Sequence, residues 1–360
     1  MSTATKIEWT DHTFNPWWGC SRVSPACRFC YADRDARRYG HELWRRHGPR
    51  RILSEQNWER PLKWNRDAER AGVSEKVFCA SMADVFEDHP DLGEPRKRLW
   101  GLVEGTPWLR WQLLTKRPEN VAGMVPWGKD WPSWVWLGVS AENQRWADVR
   151  IPVLLELPAR TKFISAEPLL GPIDLRFDHE CEGPPHWACP PMADWLIIGG
   201  ESGGRARPME IDWARDLLAQ CRKPVVSTVP FVKQLGAVLG RELGAGPKGG
   251  NMDRWPDDLR IREFPREARL LVPLSCPVLR RQRLAVAEPV RVQFYPRSGL
   301  TWFISRRLVS RPRASSSSRS FSAWRSSTTV GAGPQARRGR RRCWQGRPGH
   351  PRPPGRRTRS

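Results

Sequence analysis

Residues Asn15–Ala32 read NPWWGCSRVSPACRFCYA and set three cysteines, Cys20, Cys27 and Cys30, at gaps of six and then two residues. Gly19, Pro16 and Pro25 frame a loop whose backbone can wrap closely around a bound group. Three chemistries fit such a run. Structural zinc takes four ligands, usually as two pairs; no fourth Cys or His follows at a usual spacing, and His12 and His41 are the nearest imidazoles for a Cys3His site. A 4Fe–4S cluster held by only three thiolates leaves one iron open to a small molecule. Reduced thiols in a metal-free loop are the third option. Of the nine Cys, no other set clusters as tightly.

Outward from this stretch, one theme repeats to about residue 268: a short apolar run, a polar cluster, then a helix-like segment. The runs are Lys76–Ala80, Trp111–Leu114, Val135–Val139, Lys162–Ser165, Trp195–Ile198 and Pro230–Val232, and a first strand is expected within Thr10–Trp17. Their starts fall roughly 25–35 residues apart, the length of a strand plus its crossover helix. Runs this short and apolar suit parallel strands buried on both faces. Glu94–Leu102 and Ile211–Cys221 have helical periodicity, the latter with Ile211, Ala214, Leu217, Leu218 and Cys221 on one face. Six or seven β/α units result, forming an α/β barrel or an open doubly wound sheet.

Polar residues follow each run at once: Ser81 to Asp84, Thr115 to Arg117, Ser140 to Asn143, Ser165 to Glu167, Gly199 to Ser202, and Lys233 with Gln234. The carboxyl ends of the strands form the functional face of parallel β/α folds. Six such clusters at one end predict a polar rim facing a substrate, although solvated salt bridges would use the same residue types.

The formal charge of +23 belongs to the end of the chain. Residues 269–360 hold 22 Arg, no Lys and one acid, Glu288, whereas 1–268 hold 39 basic and 37 acidic residues. The Arg, Pro and Ser bias of 269–360 predicts disorder. It matches what GC-rich DNA encodes out of frame, so a frameshift-derived tail is preferred here over an evolved nucleic-acid-binding arm. No apolar run approaches the ~18–20 residues that span a bilayer, and the N-terminus lacks a signal-peptide layout. A cytoplasmic protein is expected, with no membrane partner and with its thiols reduced. Within a Pro-rich stretch, His179, Cys181, His186 and Cys189 form a possible second, zinc-type site.

NPWWGC, SPACRFCYA, SMADVFE, LLTKRPEN, WLGVSAENQ, FISAEPLLGPID, WLIIGGESGGRARPM, FVKQLG and WPDDLRIREFP together resemble a family of phage and bacterial proteins of unassigned function. That family is known for its three-Cys motif and is related to radical S-adenosylmethionine enzymes. The resemblance runs from about residue 5 to 267, with Ala26 standing where Gly is usual and with the stretch before Phe231 slightly altered. It implies a radical-SAM-like partial β/α barrel holding a 4Fe–4S cluster on Cys20, Cys27 and Cys30. Phe29 fills the aromatic position before the last Cys, while the first Cys gap is three residues longer than usual in those enzymes. S-adenosyl-L-methionine is then the expected cofactor. Asp84 is the candidate for its ammonium group, Ser140, Glu142 and Asn143 for its ribose, and Gly199, Gly200 and Glu201 for close backbone approach. Lys116, Arg117, Ser165, Glu167, Lys233 and Gln234 are the candidates facing a substrate, nucleic acid or nucleotide among the possibilities. An external electron donor is also implied. A zinc-stabilised binding module without turnover, or nucleic-acid binding through the basic tail, are the alternatives.

Overall fold

A computed structural model describes residues 5, 7–176, 192–223 and 226–265. The disorder expected for 269–360, and the second candidate site at His179, Cys181, His186 and Cys189, lie outside these residues.

Seven strands form one wholly parallel sheet: β1 (His12–Phe14), β4 (Glu75–Cys79), β5 (Leu109–Thr115), β6 (Val135–Ser140), β7 (Thr161–Ala166), β8 (Trp195–Gly199) and β9 (Val229–Gln234). Every apolar run falls within one or two residues of its strand. Two further strands, β2 (Trp17–Trp18) and β3 (Arg51–Ile52), make a separate antiparallel pair. The helices are α1 (Tyr31–Arg38), α2 (Glu55–Ala71), α3 (Gly93–Glu104), α4 (Val121–Met124), α5 (Gln144–Glu156), α6 (Ile211–Cys221) and α7 (Gly236–Glu242).

Strand order decides between the two architectures that periodicity left open. The seven strands follow one another in chain order, with no switch point. A doubly wound sheet reverses direction and places helices on both faces. Sequential strands joined by right-handed crossovers place their helices on one side and curl into a barrel wall. The first and last strands do not pair, so the wall stays open. The architecture is therefore a partial β/α barrel, as the resemblance implied.

Period-2 alternation along the strands confirms this sidedness. Val77, Cys79, Trp111, Leu113, Leu137, Val139, Ile164, Ala166, Leu196, Ile198 and Val232 pack outward with helix residues such as Trp58, Leu99, Trp100, Leu154 and Leu217. The intervening positions Phe78, Trp136, Phe163, Trp195, Ile197 and Phe231 point inward and, with Trp9, form a second cluster with no helix residue in it. This aromatic plug fills the amino-terminal half of the interior. Farther along the same strands, the inward positions become Ala80, Lys116, Ser140, Ser165, Glu167 and Lys233, which line an open cavity.

The plug depends on a missing side chain. A Cβ on Gly138 would lie 2.4 Å from two ring carbons of Phe163 on the neighbouring strand. Gly138→Ala is expected to lower stability by about 1–3 kcal/mol through overpacking. Urea unfolding measures it, and an unchanged midpoint would mean that the Phe163 ring can move aside.

Candidate active site at the strand ends

Between β1 and β4 the chain makes a long excursion that caps the open end of the barrel. β2 pairs with β3 at its base, and the Gly19 N–H donates to Met82 O at 3.0 Å, tying the cap to the loop after β4. Pro25 opens a short 3-10 turn, Pro25–Cys27. Its fixed φ suits that first position. Cys30 then stands at the residue just before α1, without a side-chain capping bond. This path brings Cys20, Cys27 and Cys30 to one cavity of about 480 Å³, together with the strand-end rim. All three thiols are free.

Cys20 stands against a buried charge network. Arg117 Nη1 donates to Asp84 Oδ2 at 2.9 Å and approaches Cys20 Sγ at 3.6 Å, while Nη2 donates to Ser21 O and Ser21 Oγ. Ser21 in turn donates from N and Oγ to Glu87, which also receives Nε and Nη2 of the buried Arg50. Burial pushes the Cys20 thiol up to about 12, against the lowering influence of Arg117 and with Asp84 and Glu87 adding to the rise. Burial also raises the Cys30 thiol. A desolvated thiolate needs positive charge nearby to persist, and Arg117 is the cation beside Cys20.

Among the described residues, no three of His, Cys, Asp and Glu stand close enough to grip a single metal ion. The two imidazoles that could complete a zinc site are engaged elsewhere. His12 stacks on Trp64 with its Nε2 2.7 Å from Glu75, and His41 Nε2 meets Arg51 Nη1 at 2.7 Å. Cys20, Cys27 and Cys30 nonetheless line one cavity.

The rim residues divide into two groups. Phe29, Asp84, Lys116, Arg117, Ser140, Ser165, Glu167, Gly200, Glu201, Lys233 and Gln234 line the cavity. Glu142, Asn143 and Gly199 do not. Glu142 is fully buried; its Oε2 accepts from Arg150 Nη1 at 2.9 Å and its Oε1 from the Ala26 N–H at 3.2 Å, so it braces the cysteine loop from behind. Asn143 caps α5 by accepting from the Trp146 N–H. Both were expected at a ribose, and the structure gives them these supporting positions.

Several lining groups are already committed. Asp84 accepts from the N–H groups of Phe86 and Lys116, from Thr115 Oγ1 and from Arg117. Lys233 Nζ meets both Glu167 oxygens at 2.7 and 2.9 Å. Glu201 is held by Arg207, whose guanidinium lies 5.3 Å from the Phe29 ring centre. Lys116 differs from these: its Nζ donates to Ser140 Oγ at 3.1 Å, and among the described residues it has no carboxylate partner. The close approach expected at Gly200 is real, but it is made with the chain itself, since a Cβ there would meet Leu235 O at 2.5 Å.

Tyr31, Arg34, Trp44 and Lys248 also line the cavity and were not singled out from sequence. Arg207 and Glu87 lie within the motif blocks WLIIGGESGGRARPM and SMADVFE, which is the signal that could have found them.

No helix among the described residues is long and apolar enough to cross a membrane. No curated protein matches the chain. Among solved structures, it is similar to a mutant spore photoproduct lyase with bound AdoMet and dinucleoside spore photoproduct, at 12% identity and a TM-score of 0.38. That match covers 72% of this chain, which spans 65% of the other chain's length. A family model described as "Protein of unknown function (DUF5131)" matches residues 4–282. Neither comparison speaks to a phage origin. With the model covering most of its length, the chain belongs to the DUF5131 family of proteins of unknown function.

Proposed function

We propose that this protein is a radical S-adenosylmethionine enzyme working in a reducing cytoplasm, with a 4Fe–4S cluster on Cys20, Cys27 and Cys30. One observation carries this reading. Three free thiols from a single loop open onto the same strand-end cavity as a polar rim, and the nearby imidazoles that would close a zinc site are used elsewhere. When bound, a reduced cluster of this type supplies an electron to S-adenosylmethionine and breaks one of its carbon–sulfur bonds.

The chain's own residues then take distinct parts. Arg117 places an N–H donor beside Cys20. Phe29, Ser140, Gly200 and the Arg207-held Glu201 border the place of the cofactor, while Lys116, Ser165, the Glu167–Lys233 pair and Gln234 face the substrate. Asp84 and Arg117 act chiefly by holding each other and the cysteine loop in place. The aromatic plug keeps water from the cavity floor. Electrons come from an external donor.

Anaerobic reconstitution of the full chain with iron, sulfide and reductant tests the proposal. The expected product is brown, absorbs near ~400 nm and carries about four irons per chain. A colourless protein that retains zinc and rejects iron would overturn it.

A further inference from the structure

The near-neutrality of residues 1–268 conceals an uneven distribution. The capping excursion, residues 15–54, carries nine Arg against three acids, Asp33, Asp35 and Glu42, so the rest of 1–268 is net acidic. Eight of the nine Arg are exposed, and only Arg50 is buried. The three acids are fully used within the cap. Asp33 pairs with Arg22 and Arg37, Asp35 with Arg34 and Arg38, and Glu42 with Arg37 and Arg45. Arg28, Arg46 and Arg51 have no carboxylate partner among the described residues.

Aromatic rings sit among these cations. Arg51 lies 5.0 Å over Trp18, Trp18 packs 6.1 Å from Tyr39, and the Tyr39 side is open, with that residue 70% exposed. Arg28 lies 5.2 Å from the Phe29 ring, which also borders the cavity. Trp18, Cys20 and Cys30 pack against the same small cluster, so the aromatic surface and the cysteines belong to one part of the cap. Lys116 also lines the cavity, with the Ser140 hydroxyl as its side-chain partner among the described residues.

We propose that the cap is a docking surface for single-stranded nucleic acid and delivers an unpaired nucleotide to the cavity. Exposed guanidinium groups neutralise backbone phosphates, and open rings stack bases without regard to sequence. A duplex hides its base faces, and chemistry inside a cavity requires the base to leave the stack. An acidic peptide would answer the charge but leave the rings without purpose. Lys116 is then placed for the phosphate of the entering nucleotide. The surface names the substrate class of the site above, and it rests on that functional reading only for the chemistry that follows docking.

Photo-crosslinking of the full chain to oligothymidylate, with crosslinked peptides mapped by mass spectrometry, tests the surface. A position-resolved readout is needed because the 22 Arg of 269–360 also attract polyanions. Crosslinks are expected at Trp18 and Tyr39. Tyr39→Ala should weaken the cap crosslinks about tenfold, as expected for one stacked base, and Tyr39→Phe should retain them. Arg46→Gln should weaken them with a shallower dependence on salt. Crosslinks confined to 269–360 would overturn the proposal, as would cap crosslinks that survive Tyr39→Ala, that polyglutamate competes away as well as oligothymidylate does, or that duplex DNA makes equally well. Metal-free and reconstituted protein are compared throughout. A protein that crosslinks through its cap but takes up no cluster refutes the enzyme proposal alone, and a brown protein without cap crosslinks refutes the surface alone.

Discussion

Protein carrying Cys30→Ala is expected to stay folded, within about 1–2 kcal/mol of the unaltered chain, and to come out of reconstitution without its brown chromophore. Cys30 packs at the edge of a small cluster with Trp18, Cys20 and Met82, apart from both cores of the sheet. Losing one sulfur there removes few contacts. A zinc-stabilised module behaves in the opposite way. Its metal supplies about 10 kcal/mol or more of folding free energy, so removing a ligand unfolds it. Iron content, the visible spectrum and a thermal melt separate the two cases. An unfolded Cys30→Ala chain would favour the zinc-stabilised module.

Arg117→Leu is expected to cost about 3–5 kcal/mol, because it leaves buried carboxylates without their counter-charge. Arg117 and Asp84 have side chains only 7% and 8% exposed, and Glu87 is more deeply buried still. The guanidinium touches Asp84, Ser21 and Cys20 together. Burial alone would lower its pKa, but Asp84, Cys20 and Glu87 carry it above the ordinary value, so it remains charged throughout the accessible pH range. Arg117→Lys should recover only part of the loss, since an ammonium cannot fork between Asp84 and Ser21. Urea unfolding of the two variants reads the difference. A cost below about 1 kcal/mol for Arg117→Leu would mean that water reaches Asp84 and Glu87 once the guanidinium is gone.

Parallel strands announce themselves through continuous apolar runs, which is why Val135–Ser140 and Trp195–Gly199 were legible almost to the residue. The rim was legible for the same reason: a strand's end fixes where the next polar side chain points. Direction beyond the strand was not. Glu142 lies two residues past Ser140, and whether it turns to the cavity or to Arg150 depends on a helix partner eight residues farther on. Asn143 was hidden by a competing use, since an Asn just before a helix caps it more cheaply than it binds a ligand. Barrel and doubly wound sheet share one strand periodicity, and only strand order in space separates them. The cap was the least legible part. Its two-residue strands are too short for a periodic signal, and its charge vanished when averaged with the acidic remainder.

The capping excursion also bears on how such a fold can diversify. Phe14 pairs with Cys79 across 65 residues, whereas later neighbours, such as Cys79 with Leu113 and Leu113 with Leu137, are separated by 34 and 24. Closing a loop of doubled length costs only about 0.6 kcal/mol more. The wall therefore pays almost nothing in stability for housing a large insert at this one crossing. The insert is tied to the loops at the strand ends, by Gly19 to Met82, Ser21 and Arg50 to Glu87, Arg117 to Ser21 and Ala26 to Glu142. The three cysteines and the surface arginines thus sit together on one long segment between neighbouring strands. On the function proposed above, rewriting some forty residues would change what the barrel mouth receives while the seven-stranded wall stays as it is.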